Sequence, residues 1–127
     1  MSDTPNWKEK TILVVEDEEM TRFFFKTALQ MTQVNLLFAK NGMEGVTMAQ
    51  QNRNIDCVLM DIRLPGIDGY EATRQIKANR KDLPVIAQTA YALSGDRNKA
   101  FESGCDEFIT KPIRILNLFE ILTKYLR

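Results

Sequence analysis

Carboxylates that finish apolar runs are the residues of this chain whose type and spacing could do chemistry. In "CVLMDIRLPGIDG" a short run that reads as a buried strand ends on Asp61, and a loop marked by proline and two glycines follows. A charge at that depth is costly unless something neutralises it. Glu16 and Asp17 directly follow "TILVV", Thr89 ends "PVIAQT" and Lys111 follows "EFIT". Gathered within a few ångströms, Glu16, Asp17 and Asp61 would raise one another's pKa values unless a cation sat among them. A hard divalent ion, Mg2+ above all, suits such oxygen donors, because it tolerates one or two carboxylates and keeps positions for water and a phosphoryl oxygen. The main-chain carbonyl of Arg63 could supply a further oxygen. Lys111 adds a positive charge and Thr89 a hydroxyl, so the set reads as a receptacle for a group bearing negative oxygens.

Such a receptacle exists only if the elements bring these residues to one rim. Apolar runs rich in β-branched residues alternate with stretches of helical period, which predicts a parallel sheet with helices on both faces. The strands are Thr11–Val15, Asn35–Ala39, "CVLM" from Cys57, "PVIAQT" from Pro84 and "EFIT" from Glu107. Five strands with helices between them make a doubly wound α/β fold, and ligands in such folds bind beyond the C-terminal strand ends. The candidate residues all fall there. After "EDEE", apolar residues at Met20, Phe23, Phe24, Ala28 and Met31 predict one buried helix face, with Phe25 as the aromatic lying off it. Asn41 caps a helix reaching about Gln51, and Asp68 with Gly69 opens one reaching about Asn79. A further helix starts at Ser94–Asp96 and ends near Gly104, and the last runs from about Ile113 to Leu126. The apolar stripe of that last helix is too wide for one buried face, so it is read as sunk in a groove, with a partner surface as the alternative. Residues 1–9 form a lead-in anchored by Trp7, and residues 10–127 the domain.

The totals narrow the function. At 127 residues the chain is one domain, and its 44% apolar and 27% charged residues describe a globular protein. No apolar run approaches the roughly 20 residues of a membrane helix, and the N-terminus lacks the order of a secretion signal, so a cytoplasmic location without membrane contact is expected. Seventeen basic and seventeen acidic residues give no overall reason to expect nucleic-acid binding. Cys57 and Cys105 are too far apart for a metal knuckle and read as small core residues. There is no histidine, which removes Ser-His-Asp and Cys-His catalysis and zinc sites of the HExxH kind.

"ILVVEDEE", "VLMDIRLPGIDGYEA", "PVIAQTAYA" and "FITKP", in that order and over nearly the whole chain, resemble the response-regulator receiver domain of two-component signalling, in particular receivers that work with hybrid histidine kinases. The resemblance implies a flavodoxin-like sheet of order 2-1-3-4-5 with five helices. It implies that Asp61 is the phospho-acceptor, that Glu16 and Asp17 hold Mg2+ with Asp61, that Thr89 and Lys111 bind the phosphoryl oxygens, and that the Lys111–Pro112 bond is cis. Glu16 stands where an aspartate is more usual and would reach the metal through water. Phe108 takes the position of the aromatic switch but lacks a tyrosine hydroxyl. Arg63 and Tyr91, two residues past Asp61 and Thr89, would gate water at the mouth of the site. With no histidine of its own, the chain would take phosphate from a histidine kinase or a histidine phosphotransfer domain. It would answer by rearranging the face of helix 4, strand 5 and helix 5, a possible homodimer surface.

Two other functions compete. A phosphatase of the haloacid dehalogenase type also uses a strand-end aspartate with Mg2+, but carries a second aspartate two positions on, where this chain has Arg63, and needs length for a cap. A receiver-like scaffold that is never phosphorylated would have no use for Asp17, Asp61, Thr89 and Lys111 together. The chain is therefore read as a signalling phospho-acceptor rather than an enzyme.

Overall fold

The structure is a computed structural model that describes residues 4–90 and 95–126. Its elements are β1 (Thr11–Val15), α1 (Glu19–Leu29) running into a 3-10 turn (Gln30–Thr32), β2 (Asn35–Ala39), α2 (Gly42–Gln51), β3 (Cys57–Asp61), α3 (Gly69–Asn79), β4 (Val85–Thr89), α4 (Arg97–Glu102), β5 (Glu107–Thr110) and α5 (Ile115–Tyr125). All strand pairs are parallel, as the alternation of elements predicts, and their order β2-β1-β3-β4-β5 is the one that the family resemblance implies. The winding direction reverses between β1 and β3, where such folds open a crevice.

Side chains alternate across the pleat and divide the core in two. Leu13, Val15, Val58, Met60, Val85 and Ala87 face Val46 of α2, Ala72 and Ile76 of α3, and Ala100 of α4. Ile12, Val14, Leu59, Ile86 and Ile109 face Phe25 and Leu29 of α1 and Leu118, Ile121 and Leu122 of α5. β3 and β4 are buried along their whole length, which is why they read as continuously apolar. Two residues beyond Leu59 and Ile86, Asp61 and Gln88 continue the α1/α5 face, while Thr89 follows Ala87 onto the other.

Local signals fixed several boundaries. The Asn41 side chain accepts from the Glu44 N–H and the Asp68 side chain from the Glu71 N–H, so both act as the expected caps. Gly104, at φ +108°, closes α4 in a conformation that favours glycine. A Cβ at Gly69 would collide with the Asp61 carbonyl, so the missing side chain lets α3 start directly against the end of β3. Trp7 is buried, donates its main-chain N–H to the Thr32 carbonyl at 2.8 Å and packs its ring against Phe119 with ring centroids 5.9 Å apart. Both cysteines are free and buried.

Helix α1 differs from expectation. Phe25, expected off-face, is fully buried with Leu29, whereas Met20 is 77% exposed, Phe23 61% and Met31 74%. Three consecutive phenylalanines span a broad arc of a helix, so periodicity could not choose among them. The register is chosen by Phe25 and Leu29 at i, i+4, continued by buried Thr32, whose hydroxyl donates to the Leu29 carbonyl at 2.6 Å. The wide stripe of α5 also divides. Leu118, Ile121 and Leu122 are buried, while Ile115 and Leu116 face outward. α5 starts at Ile115 rather than Ile113, because Arg114 is extended. α4 starts at Arg97; Ser94 lies outside the described residues.

The corrected register of α1 has a measurable consequence. Phe25→Ala should cost about 3–5 kcal/mol of stability in urea unfolding, and Phe23→Ala no more than about 0.5 kcal/mol. Equal losses at the two positions would contradict the register.

Candidate functional site

Two strand ends deliver three carboxylates to one point, and a third delivers a lysine. Glu16 follows β1 and Asp61 ends β3; each is buried, and with exposed Asp17 they bring one oxygen apiece to within 4.8 Å of one another. Lys111, just past β5, sends its ammonium across β4 to stand 3.4 Å from Glu16 Oε1 and 3.4 Å from Asp61 Oδ1. The backbone holds each participant. The Glu16 N–H donates to the Ala39 carbonyl and the Lys111 N–H to the Thr89 carbonyl, and the Lys111–Pro112 peptide bond is cis. The Arg63 N–H donates to Asp61 Oδ1 at 3.2 Å, the Glu18 N–H to Glu16 Oε2 at 3.2 Å, and Arg22 Nη1 to the Glu16 carbonyl at 2.9 Å.

The charges do not balance. Burial, and then the neighbouring Asp61 charge, push the Glu16 carboxyl up to about 7. Burial also raises Asp61, against the opposing pull of Lys111 and the Arg63 N–H. Burial alone would lower Lys111, but Asp61 and Glu16 together hold its ammonium above the usual lysine range. Once all three carboxyls are ionised, they outnumber the one ammonium by two negative charges, all on hard oxygen donors. That donor set fits a divalent ion such as Mg2+.

Thr89 is buried on the other pleat face, and its hydroxyl donates to Asp96 Oδ2 at 2.9 Å. Asp96, buried just ahead of α4, also accepts from the Tyr70 hydroxyl at 2.8 Å through Oδ1. Arg63 Nη2 lies 3.7 Å from it. Burial would raise the Asp96 carboxyl, but the Tyr70 and Thr89 donors and the Arg63 charge hold it below the usual carboxylate range. Phe108 is half-buried and pairs in register with Ala87, on the same pleat face as Thr89. Tyr91 lies outside the described residues. The sequence reading assigned no role to Asp96 beyond opening a helix, and none to Tyr70, Arg22 or Gln88. Gln88 pairs in register with Asp61 and is fully buried, and among the described residues neither polar atom of its carboxamide has a hydrogen-bond partner. A lone glutamine in an otherwise apolar strand was its one available signal.

Comparison with known proteins places this geometry in company. The family model of the response regulator receiver domain matches residues 12–123. The polar-differentiation response regulator DivK of Brucella anthropi is 34% identical over 92% of this chain and 96% of its own length. Hybrid signal transduction histidine kinase I of Dictyostelium discoideum is 39% identical over 87% of this chain, which spans 7% of that protein. Among solved structures, the receiver domain of the sensor histidine kinase PA1611 from Pseudomonas aeruginosa, with a magnesium ion coordinated in its active-site cleft, is 35% identical, covers 92% of this chain and 97% of its own, and superposes with a TM-score of 0.86. The receiver domain of Ssk1 from Saccharomyces cerevisiae, crystallised with the histidine phosphotransfer protein Ypd1, is 26% identical over 98% of this chain and 91% of its own, also at 0.86.

The raised Glu16 carboxyl makes stability depend on pH. The folded chain holds this proton more tightly than the unfolded one, so stability is fully present below the ordinary value near 4.5 and is lost as pH rises towards about 7. In chelator, the melting temperature of wild type should therefore fall between pH 5 and pH 7.5 more than that of Glu16→Gln. Added Mg2+ should restore more at pH 7.5 than at pH 5. Equal pH profiles for the two proteins would show that Glu16 is not the group that titrates.

Proposed function

The chain belongs to the response-regulator receiver family, and from that premise we propose that it accepts a phosphoryl group on Asp61 from a phosphohistidine of another protein. The observation that carries this reading is Lys111 standing 3.4 Å from both buried carboxylates, with Asp17 completing a site fit for a divalent cation. An Asp61 oxygen forms the new O–P bond as the N–P bond of the donor imidazole breaks, and the electron pair of that bond stays on the imidazole nitrogen. Bound Mg2+ would neutralise charge developing on the phosphoryl oxygens. Asp17, Asp61, the Arg63 carbonyl and Glu16 through water would hold it. Lys111 offsets charge from the opposite side and needs only to shift from Asp61 Oδ1 to the arriving oxygens. Thr89 supplies a hydroxyl to the acyl phosphate, and Phe108 turns into the space vacated beside β4. The face of α4, β5 and α5 then changes shape, which suits a homodimer or a downstream protein. Arg63 and Tyr91 are assigned the role of slowing hydrolysis by limiting the access of water to the acyl phosphate.

This is signalling chemistry in the cytoplasm, in which the chain assists its own phosphorylation and dephosphorylation without direct contact with nucleic acid or membrane. Among the described residues no helix is long and apolar enough to cross a bilayer. A protein donor, either a histidine kinase or a histidine phosphotransfer domain, would find apolar footing beside the site. Met20, Phe24, Pro112 and Ile113 line a shallow pocket next to Lys111.

Incubation with a small acyl phosphate and Mg2+ should add one phosphoryl group by intact mass, and none in Asp61→Asn or in chelator. Absence of the gain in wild type would favour the unphosphorylated scaffold, and sustained turnover would favour a phosphatase. Ile113→Asp should slow transfer from a phosphorylated histidine phosphotransfer domain at least tenfold while leaving labelling by the small acyl phosphate within about twofold. Equal slowing with both donors would place Ile113 in the chemistry rather than in docking.

A further inference from the structure

The Thr89 hydroxyl has one proton, and the structure shows where it goes. A carboxylate only accepts, so the 2.9 Å contact to Asp96 Oδ2 commits that proton to Asp96. The bond lies in a buried setting, with Thr89 1% and Asp96 4% exposed, where hydrogen bonds to charged groups are strong and slow to yield to water. The second oxygen of Asp96 is taken by the Tyr70 hydroxyl at 2.8 Å, and Arg63 Nη2 stands 3.7 Å from Oδ2. Asp96 is thus held from α3 by Tyr70 and from the loop after β3 by Arg63, and it leads directly into α4.

We propose that Asp96 is a positioning residue for phosphorylation. It holds Thr89 in the unphosphorylated arrangement by competing with the phosphoryl oxygens for the same proton. Resting on the reading that Asp61 is the acceptor, the inference assigns a residue on which phosphorylation must act. Before Thr89 can donate to an acyl phosphate on Asp61, the Thr89–Asp96 bond must break. Asp96 is then left with Tyr70 and Arg63 as partners, and the start of α4 loses its tie to β4. Occupancy of the acceptor and release of α4 become one equilibrium, because a single hydroxyl proton cannot serve both sides.

The experiment uses Asp96→Asn, which keeps the volume but replaces one acceptor oxygen with a donor, so that it can no longer accept from Thr89 and Tyr70 together. Labelling by a small acyl phosphate with Mg2+ is followed by intact mass. The expected result is labelling on the order of tenfold faster than wild type. In the unphosphorylated variant, the Phe108 resonances should also move towards those of wild type carrying beryllofluoride. In a Thr89→Val background the same Asp96→Asn change should alter the rate by less than about twofold, since there is no hydroxyl left to release. A structural role alone would give the same effect in both backgrounds, and that outcome overturns the proposal. So does an unchanged or slower rate in the Thr89 background. If Asp96→Asn does not fold, Tyr70→Phe decides. It leaves Asp96 free to accept only from Thr89 and Arg63, and should tighten the hold on Thr89 and slow labelling; no change, or faster labelling, overturns the proposal. Wild type that takes no phosphoryl group at all refutes the acceptor reading itself, an outcome distinct from wild type that is labelled at the same rate as the variants.

Discussion

Two carboxylates with almost no contact with water stand beside a single ammonium group, and the resulting surplus of negative charge governs this end of the sheet. Glu16 and Asp61 are each more expensive to ionise than an exposed acid, and Lys111 relieves only part of that cost. A core of valine, leucine and isoleucine would have no reason to admit them. Their presence makes sense if the site is completed from outside, by a divalent ion and then by a group whose own negative oxygens draw Lys111 away. The apolar strands beneath serve that end by holding the three groups rigidly enough for the imbalance to persist.

The pleat of the sheet gives the molecule a division of labour. Asp61 and Gln88 continue the face covered by α1 and α5, whereas Thr89 and Phe108 continue the face covered by α2, α3 and α4. Gln88, the partner of Asp61 in register, and Thr89 are therefore one residue apart along β4 and on opposite sides of it. Asp96 and Tyr70 stand on the Thr89 side and join the start of α3 to the start of α4. Under the proposed reading, a change at Asp61 would reach α4 through two acceptors competing for one proton, without a long chain of intermediates.

Much of this was legible in the sequence because it is local. A strand buried on both faces must be continuously apolar, so β1, β3 and β4 announce themselves, and the polar residues that end them are conspicuous. Asn41, Asp68 and Gly104 mark helix ends by backbone chemistry that involves only a few neighbours. The register of α1 was not legible, because Phe23, Phe24 and Phe25 satisfy the helical period almost equally well and only contact with the sheet distinguishes them. The wide stripe of α5 was ambiguous for the same reason.

The sequence by itself determined that carboxylates, a hydroxyl and a lysine would meet at the C-terminal rim of a parallel sheet, since strand direction and strand ends are properties of short segments. Only the tertiary structure decided how deep Glu16 is buried, which phenylalanine faces the core, and that the Thr89 proton belongs to Asp96. Ownership of a proton is settled by distances of about 3 Å between groups carried on different elements. No spacing along the chain sets those distances; the packing of α3 and α4 against β4 does.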